Sequence, residues 1–97
     1  MSRPTWTPAA KRDLAAIKKY ISHDSKTNAT RFIQRIRQAV QGATRFPEAG
    51  SLVLDYDECD VREIYVGSYR VMYRVVEGEI RVYRVIHGAR LLPDSLD

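Results

Sequence analysis

Apolar residues along the chain follow two different periods, and the change between them divides it. Ala10, Leu14, Ile17 and Ile21 stand four, three and four residues apart, one buried stripe of a helix. Thr7-Pro8 precedes the stripe as an N-cap with proline at the first helical position, where its missing N–H is harmless. Ser22-His23-Asp24-Ser25 then breaks the pattern and offers several caps for a second helix. Ala29, Phe32, Ile33, Ile36, Val40 and Ala43 form that helix's stripe, and Pro47 requires it to end beforehand. So short a link predicts an antiparallel helical hairpin.

From residue 61 the period is two. Val61–Val66, Tyr69–Val76 and a run from Glu79 or Ile80 to His87 read as strands, joined by two-residue turns at Gly67-Ser68 and Glu77-Gly78. They predict a three-stranded antiparallel meander. Residues Arg3–Trp6 read as a short edge strand of the same sheet, with Trp6 as an anchor on the helices, and Leu52–Leu54 as a candidate for one more. The fold class is therefore α+β, in the order β-α-α-β-β-β, with the helical hairpin on one sheet face. Two-residue turns fix the register. Ile64, Val66, Tyr69, Val71, Tyr73, Val75, Ile80, Val82 and Ile86 then share the core face. Tyr65, Arg70, Met72, Arg74, Val76, Arg81, Tyr83, Val85 and His87 share the opposite one. Arg84 and Arg62 fall awkwardly on the core side and call for sheet edges with their heads in water. A three-residue second turn would move Arg81, Tyr83 and His87 to the face of Val71 and Val75; the two-residue turn is the more consistent assignment.

Length and composition narrow the class. A chain of 97 residues, 44% hydrophobic and 29% charged, reads as one ordinary globular domain over residues 1–97. No apolar run approaches the ~20 residues that span a bilayer, the first residues lead into no signal core, and Cys59 is the single cysteine. The expected location is the cytoplasm, without membrane contact. Charge is uneven. Residues 1–46 carry ten bases and two acids, residues 47–60 five acids and no base. Such a basic front half suits an acidic partner, or else two well-solvated helix faces.

The candidate chemistry lies on the sheet face away from the helices. Arg74 stands opposite Arg81 with Arg70 nearby, a like-charge arrangement that requires compensation. Either Glu63 supplies it diagonally from the adjacent strand, or an anionic ligand does. With Tyr65, Tyr83 and His87 among the arginines, the face has the residue types that hold phosphates and stack on bases. His87-Gly88-Ala89-Arg90 closes the last strand, joining a group that titrates near neutrality to one that is always cationic. The alternative is a histidine satisfied by backbone bonds and an Arg90 paired with Asp94 or Asp97. Asp55, Asp57, Glu58 and Asp60 crowd one loop without the pattern of a calcium site, and Cys59 among them is a poor nucleophile. Two histidines and one cysteine far apart give no metal motif, and no glycine-rich phosphate loop is present. No cofactor is expected.

These residues resemble a known family. Trp6-Thr7-Pro8-Ala9-Ala10, Asp13-Leu14-Ala15-Ala16-Ile17 and Tyr20-Ile21 are similar to the opening of the RelE/ParE superfamily of bacterial type II toxins. Ala29, Phe32 and Phe46-Pro47 to Gly50 fit its second helix and following loop. Arg62-Glu63-Ile64, Gly67 with Tyr69-Arg70-Val71 and Tyr73-Arg74-Val75, and Val85-Ile86-His87-Gly88-Ala89-Arg90 complete the pattern over nearly the whole chain. The resemblance implies a growth-arresting toxin held inactive by a cognate antitoxin, ParD-like or related, in a hetero-oligomer.

Two activities share that fold. RelE-type members cleave mRNA on the ribosome, whereas ParE-type members bind DNA gyrase and trap it on cleaved DNA. Arg70 and Arg90 match the superfamily's strand and post-strand arginines. The strand Val61–Val66 lacks the lysines of the nucleases, and the tail after Arg90 has no tyrosine or histidine. The opening motif and the His87–Arg90 ending resemble ParE. The expectation is a non-enzymatic gyrase binder that uses Arg70, Arg74, Arg81, Tyr83, His87 and Arg90. The alternative is a ribosome-dependent endoribonuclease with Arg70, His87, Arg90 and Tyr83 as its catalytic group. A third reading is a family member that retains only antitoxin binding.

Overall fold

The computed structural model describes residues 3–53, 60–90 and 92. Its elements are β1 (Thr5–Trp6), α1 (Pro8–Ser22), α2 (Lys26–Ala43), β2 (Ser51–Leu52), β3 (Arg62–Val66), β4 (Tyr69–Val76) and β5 (Glu79–His87). The sheet order is β1-β5-β4-β3-β2, antiparallel except for β1, which runs parallel to β5. The helical hairpin, the meander and the first edge strand match the sequence reading; the second edge strand forms at Ser51–Leu52, one residue earlier than expected and without Val53. Of the expected edge strand at residues 52–54, Leu54 lies outside the described residues, as do Cys59 and the acids Asp55, Asp57 and Glu58.

Capping sets both helix starts. The Thr7 hydroxyl accepts the Ala10 N–H at 3.1 Å, and the Ser25 hydroxyl accepts that of Asn28 at 3.1 Å. The two apolar stripes then face the sheet. Ala10, Leu14, Ile17, Ile36 and Val40 join Val66, Val71, Tyr73, Ile80, Val82 and Val85 in the main core. Trp6 packs against that core, with the Arg37 guanidinium 5.6 Å from its ring centre.

The register departs from expectation at one place. Val76 to Tyr73 pair with Glu79 to Val82 as the two-residue turn dictates, but Met72 pairs with Arg84. Tyr83 is thus an extra residue, a β-bulge in β5. Beyond the bulge every side chain changes face relative to the uninterrupted register. Val85 enters the main core, Ile86 leaves it, and His87 moves to the helix side opposite Tyr69. The bulge also settles Arg84, which is not on the core face. It donates to both carboxylate oxygens of Asp13 at 2.7 and 3.1 Å, and Asp13 accepts the Val85 N–H at 2.9 Å as well. The Tyr83 carbonyl accepts the Thr7 hydroxyl at 2.9 Å. The start of α1 therefore satisfies the polar groups that the bulge withdraws from the ladder.

Candidate functional site

The sheet face away from the helices holds most of the expected cationic cluster. Arg74 does stand opposite Arg81. Compensation comes from two acids. The Arg70 Nε donates to Glu63 at 2.6 Å, both side chains being largely buried, and Arg74 donates to Asp60 at 3.1 and 3.2 Å. Glu63 thus answers Arg70 as its diagonal position suggested, while Arg74 is served from the loop before β3. The Arg74 guanidinium also lies 5.8 Å from the Tyr83 ring centre, a cation–π distance. Arg81 is exposed, and Tyr65 is 62% exposed.

The middle of this face is closed. Met72 is fully buried with Val53, Val61 and Ile86, and Tyr83 and Leu92 pack against them. The face expected to be open along β4 and β5 therefore carries its own small apolar cluster, which leaves the charged and aromatic groups around it as the accessible chemistry.

His87 and Arg90 sit elsewhere. His87 meets the Tyr69 ring edge-on at 5.2 Å, and Tyr69 contacts Phe32 of α2 at 5.5 Å. With Tyr20, Tyr69, Asp13 and Arg90, His87 lines a notch of about 190 Å³ between α1 and the end of β5. The His87 Nδ1 accepts the Ala89 N–H at 3.1 Å, so a neutral ring carries its proton on Nε2. The histidine thus has a backbone bond, as its simpler reading held. The expected grouping of His87 with Arg70, Arg74 and Tyr83 on one face is corrected by the bulge. Val85 likewise belongs to the core rather than to that face. The pairing of Arg90 with Asp94 or Asp97 falls outside the described residues.

The loop between α2 and β2 is pinned to β3 and β4. The Tyr73 hydroxyl donates to the Pro47 carbonyl at 2.7 Å and accepts the Gly50 N–H at 3.2 Å. Arg62 is not at a sheet edge as expected, since β3 lies between β2 and β4; it donates instead to the Glu48 and Gly50 carbonyls at 2.9 and 2.8 Å, so this loop satisfies its head. Burial pushes the Tyr73 phenol above its ordinary 10.0, against the opposing pull of the Gly50 N–H and the Arg62 charge.

Among the described residues no cluster of His, Cys, Asp and Glu is arranged to hold a metal ion, and no helix is long and apolar enough to cross a membrane. Tyr20 and Phe32 emerge as site residues to which the sequence reading gave no site role, having placed Phe32 in the stripe of the second helix and both in the family resemblance. Tyr20 is 73% exposed yet walls two concavities. A large ring just off the buried stripe of α1 was the available signal.

Comparison with known proteins agrees with this architecture. Residues 5–92 match the family model described as the ParE toxin of the type II toxin–antitoxin system parDE. The chain is 34% identical to Toxin RelE2 of Caulobacter vibrioides over 92 residues, covering 94% of this chain and all of that protein. Among solved structures, it is similar to a chain of the chromosomal ParDE system from P. aeruginosa, with a TM-score of 0.73 at 23% identity over 90% of this chain and 96% of that one. A chain of the YoeB–YefM complex from Staphylococcus aureus superposes with a TM-score of 0.60 at 15% identity, covering 90% and 97% of the two chains. One from the RelBE2 toxin–antitoxin complex of Mycobacterium tuberculosis gives 0.57 at 20%, covering 88% and 95%.

Proposed function

This chain belongs to the ParE/RelE toxin family of type II toxin–antitoxin systems, and from that premise we propose that it is a ParE-like toxin that inhibits DNA gyrase by binding. A cognate antitoxin neutralises it, as the complexes in which its structural relatives were solved suggest. The observation that carries the reading is the bulge at Tyr83. It sends His87 to the helix side of the sheet, whereas Arg70, Arg74 and Tyr83 stay on the other. Cleavage of RNA needs an acid or base and a phosphate clamp converging on one phosphate within hydrogen-bond reach. Here the histidine and the strand arginines diverge, and Arg70 is already held by Glu63. A surface of fixed cations and rings suits docking on a large target better than proton transfer.

A second reading has one feature in its favour. His87 and Arg90 do line a common notch, and the Caulobacter relative carries the RelE name. Antitoxin-free protein in a gyrase supercoiling and DNA-cleavage assay, beside a ribosome-programmed mRNA cleavage assay, separates the two. The expected result is lost supercoiling, accumulated cleaved DNA and intact mRNA. Codon-phased mRNA cuts with unaffected gyrase would establish the endoribonuclease instead. Normal growth on expression of folded, antitoxin-free chain would establish a non-toxic member.

A further inference from the structure

The outward face of the helical hairpin is a second cationic surface, on the other side of the molecule from Arg74 and Arg81. Helices α1 and α2 and their link hold eight bases and two acids. One acid, Asp13, is engaged by Arg84 and the Val85 N–H, and the other, Asp24, lies in the link. Lys11 and Lys18 stand seven residues apart on α1, as do Arg12 and Lys19, so two rows run along the helix with about 10.5 Å between their members. Arg12 and Lys19 fall opposite the buried stripe of Ala10, Leu14 and Ile17. On α2, Lys26 and Arg37 lie about three turns apart on one side, and Arg37 reaches Trp6 just ahead of α1. All six are exposed.

None of the six is neutralised locally. No position three or four residues from any of them holds a carboxylate, the spacing at which a solvated helix pairs its charges. The ion-paired arginines among the described residues are Arg70, Arg74 and Arg84, all on the sheet. Cations of the strands are answered by acids of this chain, whereas those of the hairpin are left to an external anion.

The surface also selects the kind of anion. The exposed large apolar side chains among the described residues are Tyr20, Phe46, Leu52 and Tyr65, and none lies within these rows. A protein segment that folds on binding needs apolar anchors, and a single strand needs rings for its bases. Duplex phosphates need neither. They need repeated cations with polar groups beside them, and Gln34, Gln38 and Gln41 supply the latter along the exposed side of α2.

We propose that the outward hairpin face holds the phosphate backbone of duplex DNA without reading its sequence. The proposal rests on the gyrase reading above and extends it: the far sheet face docks on the enzyme, and the hairpin grips the DNA that the enzyme holds.

Antitoxin-free protein titrated into a fluorescein-labelled duplex of about 20 base pairs, followed by anisotropy, tests it. Four phosphate contacts should make affinity fall about 100-fold between about 50 and 200 mM salt. Arg12→Gln/Lys19→Gln removes two exposed cations and is expected to fold, as circular dichroism will verify. Its affinity should fall only about tenfold over the same range. Glu79→Gln, at the β4–β5 turn, raises the net charge by one yet should leave affinity unchanged. In the supercoiling assay the double variant should require about tenfold more protein than wild type. A double variant with the salt dependence of wild type would overturn the proposal. Wild type that inhibits gyrase but has no affinity for the duplex at low salt would overturn the hairpin face and leave the gyrase reading standing. Duplex binding lost in the double variant, without gyrase inhibition by wild type, would keep the face and overturn that reading. An RNA duplex bound more than about tenfold tighter than the DNA would assign the face to RNA and defeat the proposal. Poly-glutamate bound more tightly than the DNA would assign it to an acidic protein, with the same consequence.

Discussion

Gly50 shows how a single atom constrains this molecule. A Cβ built there would lie 2.4 Å from the Tyr73 Oη and 3.0 Å from the Glu63 carbonyl oxygen. The Tyr73 hydroxyl cannot easily withdraw, because it is held to the Pro47 carbonyl and caps the Gly50 N–H. Gly50→Ala is therefore expected to destabilise the fold by about 2 kcal/mol, as overpacking of a close contact does. Adding Tyr73→Phe removes the clashing oxygen, so the double variant should lose less than the two single losses summed, read from urea unfolding. The same phenol gives a pH signature. Its folded pKa lies above its ordinary 10.0, so above pH 10 the unfolded chain releases a proton that the folded chain retains. This contribution to stability is whole below pH 10 and declines as pH rises through the raised value. Wild type should consequently lose stability faster than Tyr73→Phe in unfolding titrations above pH 10.

Turns and the bulge govern the elements. Gly67 takes a φ of 57° in the β3–β4 turn, and in the β4–β5 turn both Glu77 (φ 53°) and Gly78 (φ 80°) lie in the left-handed region. Positive φ at both central positions is the demand of a type I′ hairpin, and glutamate meets it poorly. Glu77→Asn should stabilise the protein by about 0.5–1 kcal/mol, visible as a rise in Tm of several degrees. That turn sets the pairing of Arg74 with Arg81, but the bulge alone decides everything after Tyr83. It persists because Thr7 and Asp13, on the first turns of α1, bond the backbone groups it frees. A helix start and a strand irregularity thus form one unit, 70 or more residues apart in sequence.

Across the whole molecule the bulge separates two surfaces. The far face presents Arg74, Arg81 and Tyr83, and the helix side presents the notch of His87 and Arg90 beside the groove of Tyr20 and Phe32. The two surfaces can then be altered by independent substitutions. On the gyrase reading, Arg74→Ala/Arg81→Ala should cause a graded loss of supercoiling inhibition, on the order of tenfold in the inhibiting concentration, for two partly exposed contacts at a rim. A nuclease built on His87 would respond otherwise, with mRNA cleavage falling by orders of magnitude on His87→Ala while the fold stays intact. Dose–response curves for both variants in both assays check this.

Local spacing by itself determined the helices, their caps, the strands and the two-residue turns, because helical and alternating periods are properties of neighbouring residues. Ala10-Leu14-Ile17 and Ile36-Val40 lie on the buried stripes for that reason, and Glu63 reaches Arg70 because adjacent strands place them diagonally. The far-face membership of Arg70 and Arg74 was legible for the same cause. The side chosen by His87 was not. A bulge inserts one residue without a glycine or turn signal, and its stability depends on polar partners from a distant helix. The one clue was Arg84, a cation that an uninterrupted ladder would have driven into the core. Only the folded chain, with Asp13 and Thr7 beside β5, could make the shifted register the lower in free energy, and with it decide which residues share a site.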